Sequence, residues 1–160
     1  MQPRMTSPVV SVAGSLDVLQ SLGTLVREAA GNAGIPQSTI DLIELRASQI
    51  NGCAVCLDMH SIGAKKAGET DERLRTLVAW RDTPYFNDAE RAALALAEAG
   101  TRLADRDGAI PDAVFDEAAK HYGDQALGVL VLAIASINAW NRLNVISGQV
   151  TGEWVEQWVA

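Results

Sequence analysis

Apolar residues in this chain recur at helical spacing in one segment after another, and short turns rich in glycine, proline and asparagine cut the pattern into pieces of helix length. No stretch alternates apolar and polar side chains as a half-buried strand does. The best strand candidate, residues 129–134, sits inside a longer apolar run of helix length. A chain patterned this way is predicted to be all-α.

Leu16, Leu19, Leu22, Val26 and Ala30 form the stripe of a first amphipathic helix, which stops in the turn-rich GNAGIP. Pro36 and Ser38 open a second, carried by Ile40, Ile43, Leu45, Ala47 and Ile50 until Asn51 and Gly52 interrupt it. Residues 53–67 form a third, with Gly68 at the position a left-handed C-cap prefers. Thr70 begins a shorter segment over residues 71–80. Asn87 or Asp88 caps an alanine-rich helix through Ala92, Leu96, Ala99 and Leu103, with Glu90 in the first turn, where the helix dipole favours an anion. Pro111 opens another, with Val114, Phe115 and Ala118 on one face, and Gly123 separates it from a long segment over residues 124–146. Within that segment residues 126–135 are apolar all round except at Gly128. The run is too short to cross a bilayer and is expected to form a central, fully buried helix.

At 160 residues and 48% hydrophobic content, with no shift in composition along the chain, the sequence is expected to form one domain over residues 1–160. Its core spans 15–147 and its tail 148–160. In the tail, Trp154 and Trp158 stand at i, i+4, which suggests a segment docked on its own domain or on a neighbouring subunit. A net charge of −7 argues against nucleic acid and anionic membrane surfaces as partners. The opening MQPRMTSPVVSVAG lacks the long apolar run of a secretory signal, so a cytoplasmic location is expected. In a reducing compartment, two cysteines three positions apart suit catalysis or metal binding better than structure.

With Cys53 at the start of its helix, a step of ~100° per residue puts Cys56 and His60 on the same narrow face. Cysteines at i, i+3 in a first turn can reach disulfide separation, and the amide dipoles there stabilise a thiolate. His60, one turn beyond Cys56, can take the thiol proton or, protonated, stabilise the thiolate. One thiolate would attack an oxidant, and the resulting sulfenic acid would be resolved by the other cysteine. Two alternatives stand beside this: a pair of small buried hydrophobes, and a zinc site in which His121 or Asp58 completes two thiolates and an imidazole. Of the remaining polar residues, Asn138 and Asn141 are expected to satisfy backbone groups and Arg142 to have a structural, ion-paired role. His121 is expected to be a surface residue near a helix end.

The stretch LRASQINGCAVCLDMH, residues 45–60, resembles the signature of the alkylhydroperoxidase D and carboxymuconolactone decarboxylase superfamily, and SINAWNRLNV, residues 136–145, resembles a segment that often follows it. The resemblance implies an all-α fold assembled as trimers or hexamers, with the site near a subunit interface. It also implies that Cys56 attacks a peroxide, that Cys53 resolves, and that His60 belongs to a proton relay. The family places a glutamate where this chain has Asp41, one methylene shorter, and Glu44, one turn further on, is the alternative carboxylate. The histidine that well-known peroxidases carry between the cysteines is replaced here by Ala54 and Val55. The resemblance thus implies a peroxidase that reduces hydrogen peroxide or organic hydroperoxides in antioxidant defence, with no cofactor of its own. An external dithiol donor, a lipoyl or thioredoxin-like protein, would recycle it. A lactone decarboxylase and a non-catalytic helical assembly protein are the competing alternatives.

Overall fold

The computed structural model describes residues 1–105, 108, 110–152, 154 and 155, and among these it is all-helical. In chain order the α-helices are α1 (Pro8–Ser11), α2 (Ser15–Asn32), α3 (Gln37–Asn51), α4 (Ala54–Lys66), α5 (Asp71–Thr76), α6 (Asp88–Thr101), α7 (Asp112–His121) and α8 (Asp124–Ser147). Short 3₁₀ segments follow α5 (Leu77–Asp82) and α6 (Leu103–Asp105). The expected boundaries hold to within a residue or two at α2, α3, α4, α7 and α8. Pro36 and Pro111 stand at the N-caps of α3 and α7, and Asn87 closes a capping box with Glu90 at the head of α6. The single segment expected over residues 71–80 is instead broken, because Ala79 leaves helical geometry and the last turns tighten to 3₁₀.

The central helix is α3, not the apolar run of α8. Helix α3 packs against α2, α4, α6, α8 and the 3₁₀ segment after α5, and eight consecutive or near-consecutive side chains between Thr39 and Ser48 are buried. Its Ile40 and Ile43 face a large core with Val26, Leu96, Leu130 and Ile134, while Leu42 and Leu45 face a second with Leu77, Trp80, Phe86 and Leu94. Each such side chain removed from water contributes roughly 1.5–3 kcal/mol, so α3 is the piece the rest of the molecule is built around.

Helix α8 is long and apolar enough, by length and composition, to cross a membrane, so the expectation that its apolar run was too short described only part of the helix. Here it packs along α3, α2 and α6. The expectation that residues 126–135 are fully buried is not met, since Val131 is 50% exposed and Leu132, Gly128 and Ala135 also face outward. Helices α2, α3, α4, α6 and α7 all touch α8, yet they leave the side with Gly128, Val131, Leu132 and Ala135 uncovered. Phe115 on α7 is likewise exposed, where Val114 and Ala118 turn inward. In the tail the docked residue is Val155, completely buried, while Trp154 is exposed and donates its indole N–H to Val150 O at 3.1 Å. Trp158 lies outside the described residues.

Candidate functional site

The site begins where α3 ends. Gly52 takes a left-handed conformation (φ +68°) that an L side chain rarely adopts, and the N–H groups of Gly52 and Cys53 both return to Ser48 O. This sharp stop turns the chain directly into α4. Cys53 is the N-cap of α4 rather than its first helical residue, and its Sγ accepts a hydrogen bond from the Cys56 backbone N–H at 3.3 Å, the part usually taken by serine or threonine. Cys56 lies in the first turn. The two sulfurs form a disulfide across a Cα–Cα separation of 5.3 Å, within the range such bonds span. Both residues are nearly buried, at 1% and 3% exposure, among Ala47, Val55, Ile137 and Trp140.

His60 stands one turn beyond Cys56 on the same face of α4. Its Nδ1 lies 3.0 Å from Glu44 Oε2, and about a quarter of the ring remains exposed. Burial alone would lower its pKa. The charge and hydrogen bond of Glu44, joined by the charge of Asp41, outweigh that and hold the imidazole above its usual value, with Arg27 opposing weakly. Asp41, one turn before Glu44 on α3, accepts a hydrogen bond from Gln37 Nε2 at 2.9 Å. Burial pushes its carboxyl above the usual aspartate value, with the Glu44 charge adding to the effect, against the Gln37 hydrogen bond and the His60 charge. Of the five residues singled out from sequence, Cys53 and Cys56 stand at the α3–α4 turn, His60 follows one turn along α4, and Glu44 and Asp41 lie further back on α3; the carboxylate in contact with the imidazole is Glu44.

Helix α8 supplies what the sequence reading did not single out. Asn144 Nδ2 donates to Cys56 Sγ at 3.4 Å, a contact between residues 88 positions apart. Asn144 lies within the SINAWNRLNV segment, and its spacing of one turn from Asn141 was the available signal. A seam of amides holds α8 in that register. Asn51 Nδ2 donates to Asn138 Oδ1 (3.0 Å) and Asn141 Oδ1 (2.8 Å), Asn141 Nδ2 donates to Ser48 Oγ (3.0 Å), and Asn138 Nδ2 donates to Thr101 Oγ1 (3.1 Å) and Ile134 O (2.8 Å). Asn138 thus satisfies a backbone carbonyl, as expected, and the two asparagines are otherwise joined to side chains, through Asn51, Thr101 and Ser48. A buried amide network of this kind is costly unless fully joined, which fixes the α3–α8 geometry closely.

Arg142 is exposed on α8 and donates to Asn138 O and Oδ1 at 3.1 and 2.8 Å, one turn back on the same helix, a structural contact but not the ion pair expected. Asp58 accepts a hydrogen bond from Thr151 Oγ1, and His121 pairs with Glu117 on α7 at 3.6 Å. Neither joins the cysteine pair.

Comparison with known proteins places this geometry in context. The model of the carboxymuconolactone decarboxylase family matches residues 17–99, a span that includes the whole α3–α4 corner. The chain is 39% identical over 116 residues to the uncharacterised protein YdfG of Bacillus subtilis, covering 72% of this chain and 78% of that one. It is 33% identical over 73 residues to the alkyl hydroperoxide reductase AhpD of Bradyrhizobium diazoefficiens, covering 46% of this chain and 37% of the relative. Among solved structures, a protein of unknown function from Agrobacterium tumefaciens, proposed to be an antioxidant defence protein AhpD, superimposes with a TM-score of 0.85 at 29% identity, covering 94% of this chain and 99% of that one.

Proposed function

The chain belongs to the carboxymuconolactone decarboxylase family, and from that premise we propose that it is a thiol-dependent peroxidase whose redox couple is the Cys53–Cys56 pair. The observation that carries this is the disulfide at the head of α4 with the Glu44–His60 pair one turn along the same face. The partial likeness to AhpD proteins supports peroxide as the oxidant.

In the reduced enzyme the α4 N-terminal amides, the Asn144 N–H and a protonated His60 stabilise Cys56 as a thiolate. The thiolate attacks the peroxide oxygen, the O–O bond breaks, and the departing alkoxide or hydroxide takes a proton from His60. Cys56 is left as a sulfenic acid. Cys53 then attacks the Cys56 sulfur, its thiol proton leaves with the hydroxyl as water, and the disulfide forms. Glu44 keeps the imidazole oriented and cationic, while Asp41 adds negative charge nearby. An external dithiol returns the pair to the reduced state.

A homo-oligomer fits the same reading. The outward-facing apolar stripe of α8, including Val131 and Ala135, borders with Leu103 an apolar groove of about 400 Å³, a surface a second copy of the chain would cover. Sedimentation should therefore find an assembly larger than one chain.

The deciding experiment is thiol titration before and after one equivalent of hydrogen peroxide or an organic hydroperoxide, with Cys53→Ser and Cys56→Ser variants. Two thiols should be lost and then recovered with dithiothreitol, and Cys53→Ser should accumulate a trappable sulfenic acid. If both thiols survive excess peroxide the peroxidase assignment fails, and lactone decarboxylation insensitive to Cys56→Ser would replace it.

A further inference from the structure

The two sulfurs of the disulfide sit in different surroundings. A groove of about 520 Å³ opens beside the pair, walled on one side by Met1, Gln2 and Arg4 and on the other by Asn144 and Gly148, and of the two cysteines only Cys53 lines it. Its outer wall is fixed in place. The N–H groups of Arg4 and Met5 donate to Ser147 O at 3.1 and 3.3 Å, and Gln149 Nε2 donates to Met5 O at 2.9 Å. Gly148, at φ +65°, lets the segment approach so closely that a Cβ there would stand 3.0 Å from the Arg4 Cβ.

Cys56 does not line the groove, but it carries the better-stabilised sulfur. Its Sγ accepts the Asn144 N–H at 3.4 Å, it lies in the first turn of α4, and His60 follows on the same face. The hydrogen bond that Cys53 Sγ accepts, from the Cys56 backbone N–H, is one that a mixed disulfide at Cys53 can keep. In thiol–disulfide exchange the attacked sulfur is the one an incoming thiolate can reach and the departing sulfur is the more stable thiolate; both cysteines are nearly buried, at 1% and 3% exposure, so reach here means the groove that Cys53 lines. Both criteria select the same direction here.

We propose that reduction of this disulfide is directional: a reducing thiolate enters the groove and attacks Cys53 Sγ, the S–S bond breaks, and Cys56 leaves with the electron pair as a thiolate held by Asn144. The second thiol of a dithiol donor, losing its proton, then attacks the donor sulfur of the mixed disulfide. Cys53 is released as a thiolate that takes up that proton, and the donor becomes a disulfide. Two electrons pass from donor to protein. The proposal rests on the pair being a redox-cycling disulfide, as in the function proposed above, and is independent of the oxidant that re-forms it.

The test uses the full-length oxidised protein and glutathione as a monothiol probe, with rapid acid quenching, alkylation by N-ethylmaleimide and tandem mass spectrometry of the tryptic peptide covering residues 47–65, which holds both cysteines. Glutathione should be found on Cys53 and the maleimide on Cys56, in an excess of about tenfold or more. Losing a hydrogen bond to a charged sulfur, Asn144→Ala should slow the opening roughly tenfold and narrow that excess. Asn144→Asp, of the same shape but with no donor and a repelling charge, should slow it further while helicity is retained, which separates this role from misfolding. Glutathione on Cys56, an even distribution, or a disulfide that glutathione cannot open overturns the proposal. Absent peroxide turnover with the Cys53 adduct intact would instead sink the peroxidase assignment and leave the direction of reduction standing.

Discussion

Two corners of the molecule pair carboxylates with cations, one buried and one half-buried, and they do so for opposite ends. Between the 3₁₀ segment and α6, Glu98 accepts hydrogen bonds from Arg46 (2.7 Å), Arg81 (2.7 Å) and the Trp80 indole (3.1 Å). Nearby, Arg73 is clamped between Glu90 at 2.6 Å and Glu69 at 2.8 Å. At the α3–α4 corner Glu44 meets the imidazole of His60 instead. Arginine never gives up its proton in a protein, so the first corner can only hold elements together. Histidine titrates near neutrality, so the second can take part in proton transfer. The pKa shifts follow suit: burial would raise Glu98, yet the hydrogen bonds from Arg81, Trp80 and Arg46 hold it below the usual glutamate value, whereas His60 is held above its own.

If that contrast is right, the largest effect comes from breaking the arginine corner. Glu98→Ala leaves Arg46 buried without its carboxylate and should cost about 3–5 kcal/mol in urea unfolding. A loss below ~1 kcal/mol would mean that water replaces the carboxylate there and that the corner is not the structural clamp described. Glu44→Gln should do the reverse, lowering kcat/KM for peroxide on the order of 10²-fold while changing stability by less than about 1 kcal/mol, because the Glu44–His60 pair is partly exposed.

A smaller effect lies in the pH dependence of stability. The Glu98 contribution is fully present above the ordinary value of 4.5 and is lost as pH falls through the lower folded value. The His60 contribution is fully present below 6.5 and is lost as pH rises through the higher folded value. Asp41 tilts the acid range the other way, since its raised folded value makes ionisation costly as pH climbs past 3.8. Glu44→Gln should erase the neutral-to-alkaline arm, ease the Asp41 penalty and leave the Glu98 contribution intact; persistence of the alkaline arm would show that another group carries it. The smallest contrast is between two helix caps. Asn87→Ala removes the capping box of α6 and should cost about 1 kcal/mol, whereas Cys53→Ser, compared with wild type under reducing conditions, keeps a capping side chain on α4 and should change stability by no more than ~0.5 kcal/mol. Parallel thermal melts of the two variants measure the difference.

Much of the fold was legible because helices are written locally. Periodicity, Pro36, Gly52, Asn87 and Gly68 act within a turn or two of themselves, and so does the spacing that puts Cys56 and His60 on one face of α4. The failures were of a different kind. Residues 126–135 are as apolar as a central helix, but burial on every side requires neighbours on every side, and those of α8 leave the side with Val131, Leu132 and Ala135 open. The Asn51, Thr101 and Ser48 partners of the two buried asparagines on α8 are ones that helix spacing alone does not specify.

By itself, then, the sequence determined that the chain is helical, where most of its helices begin and end, and that two cysteines and a histidine share the head of one of them, since each follows from interactions a few residues long. Only the tertiary structure decided that Glu44 rather than Asp41 touches His60, that Asn144 reaches Cys56 from 88 positions away, and that Cys53 rather than Cys56 lines the groove. Those outcomes depend on how α3, α4 and α8 are registered against one another, and that register is set by the shared core and the amide seam, not by any one segment.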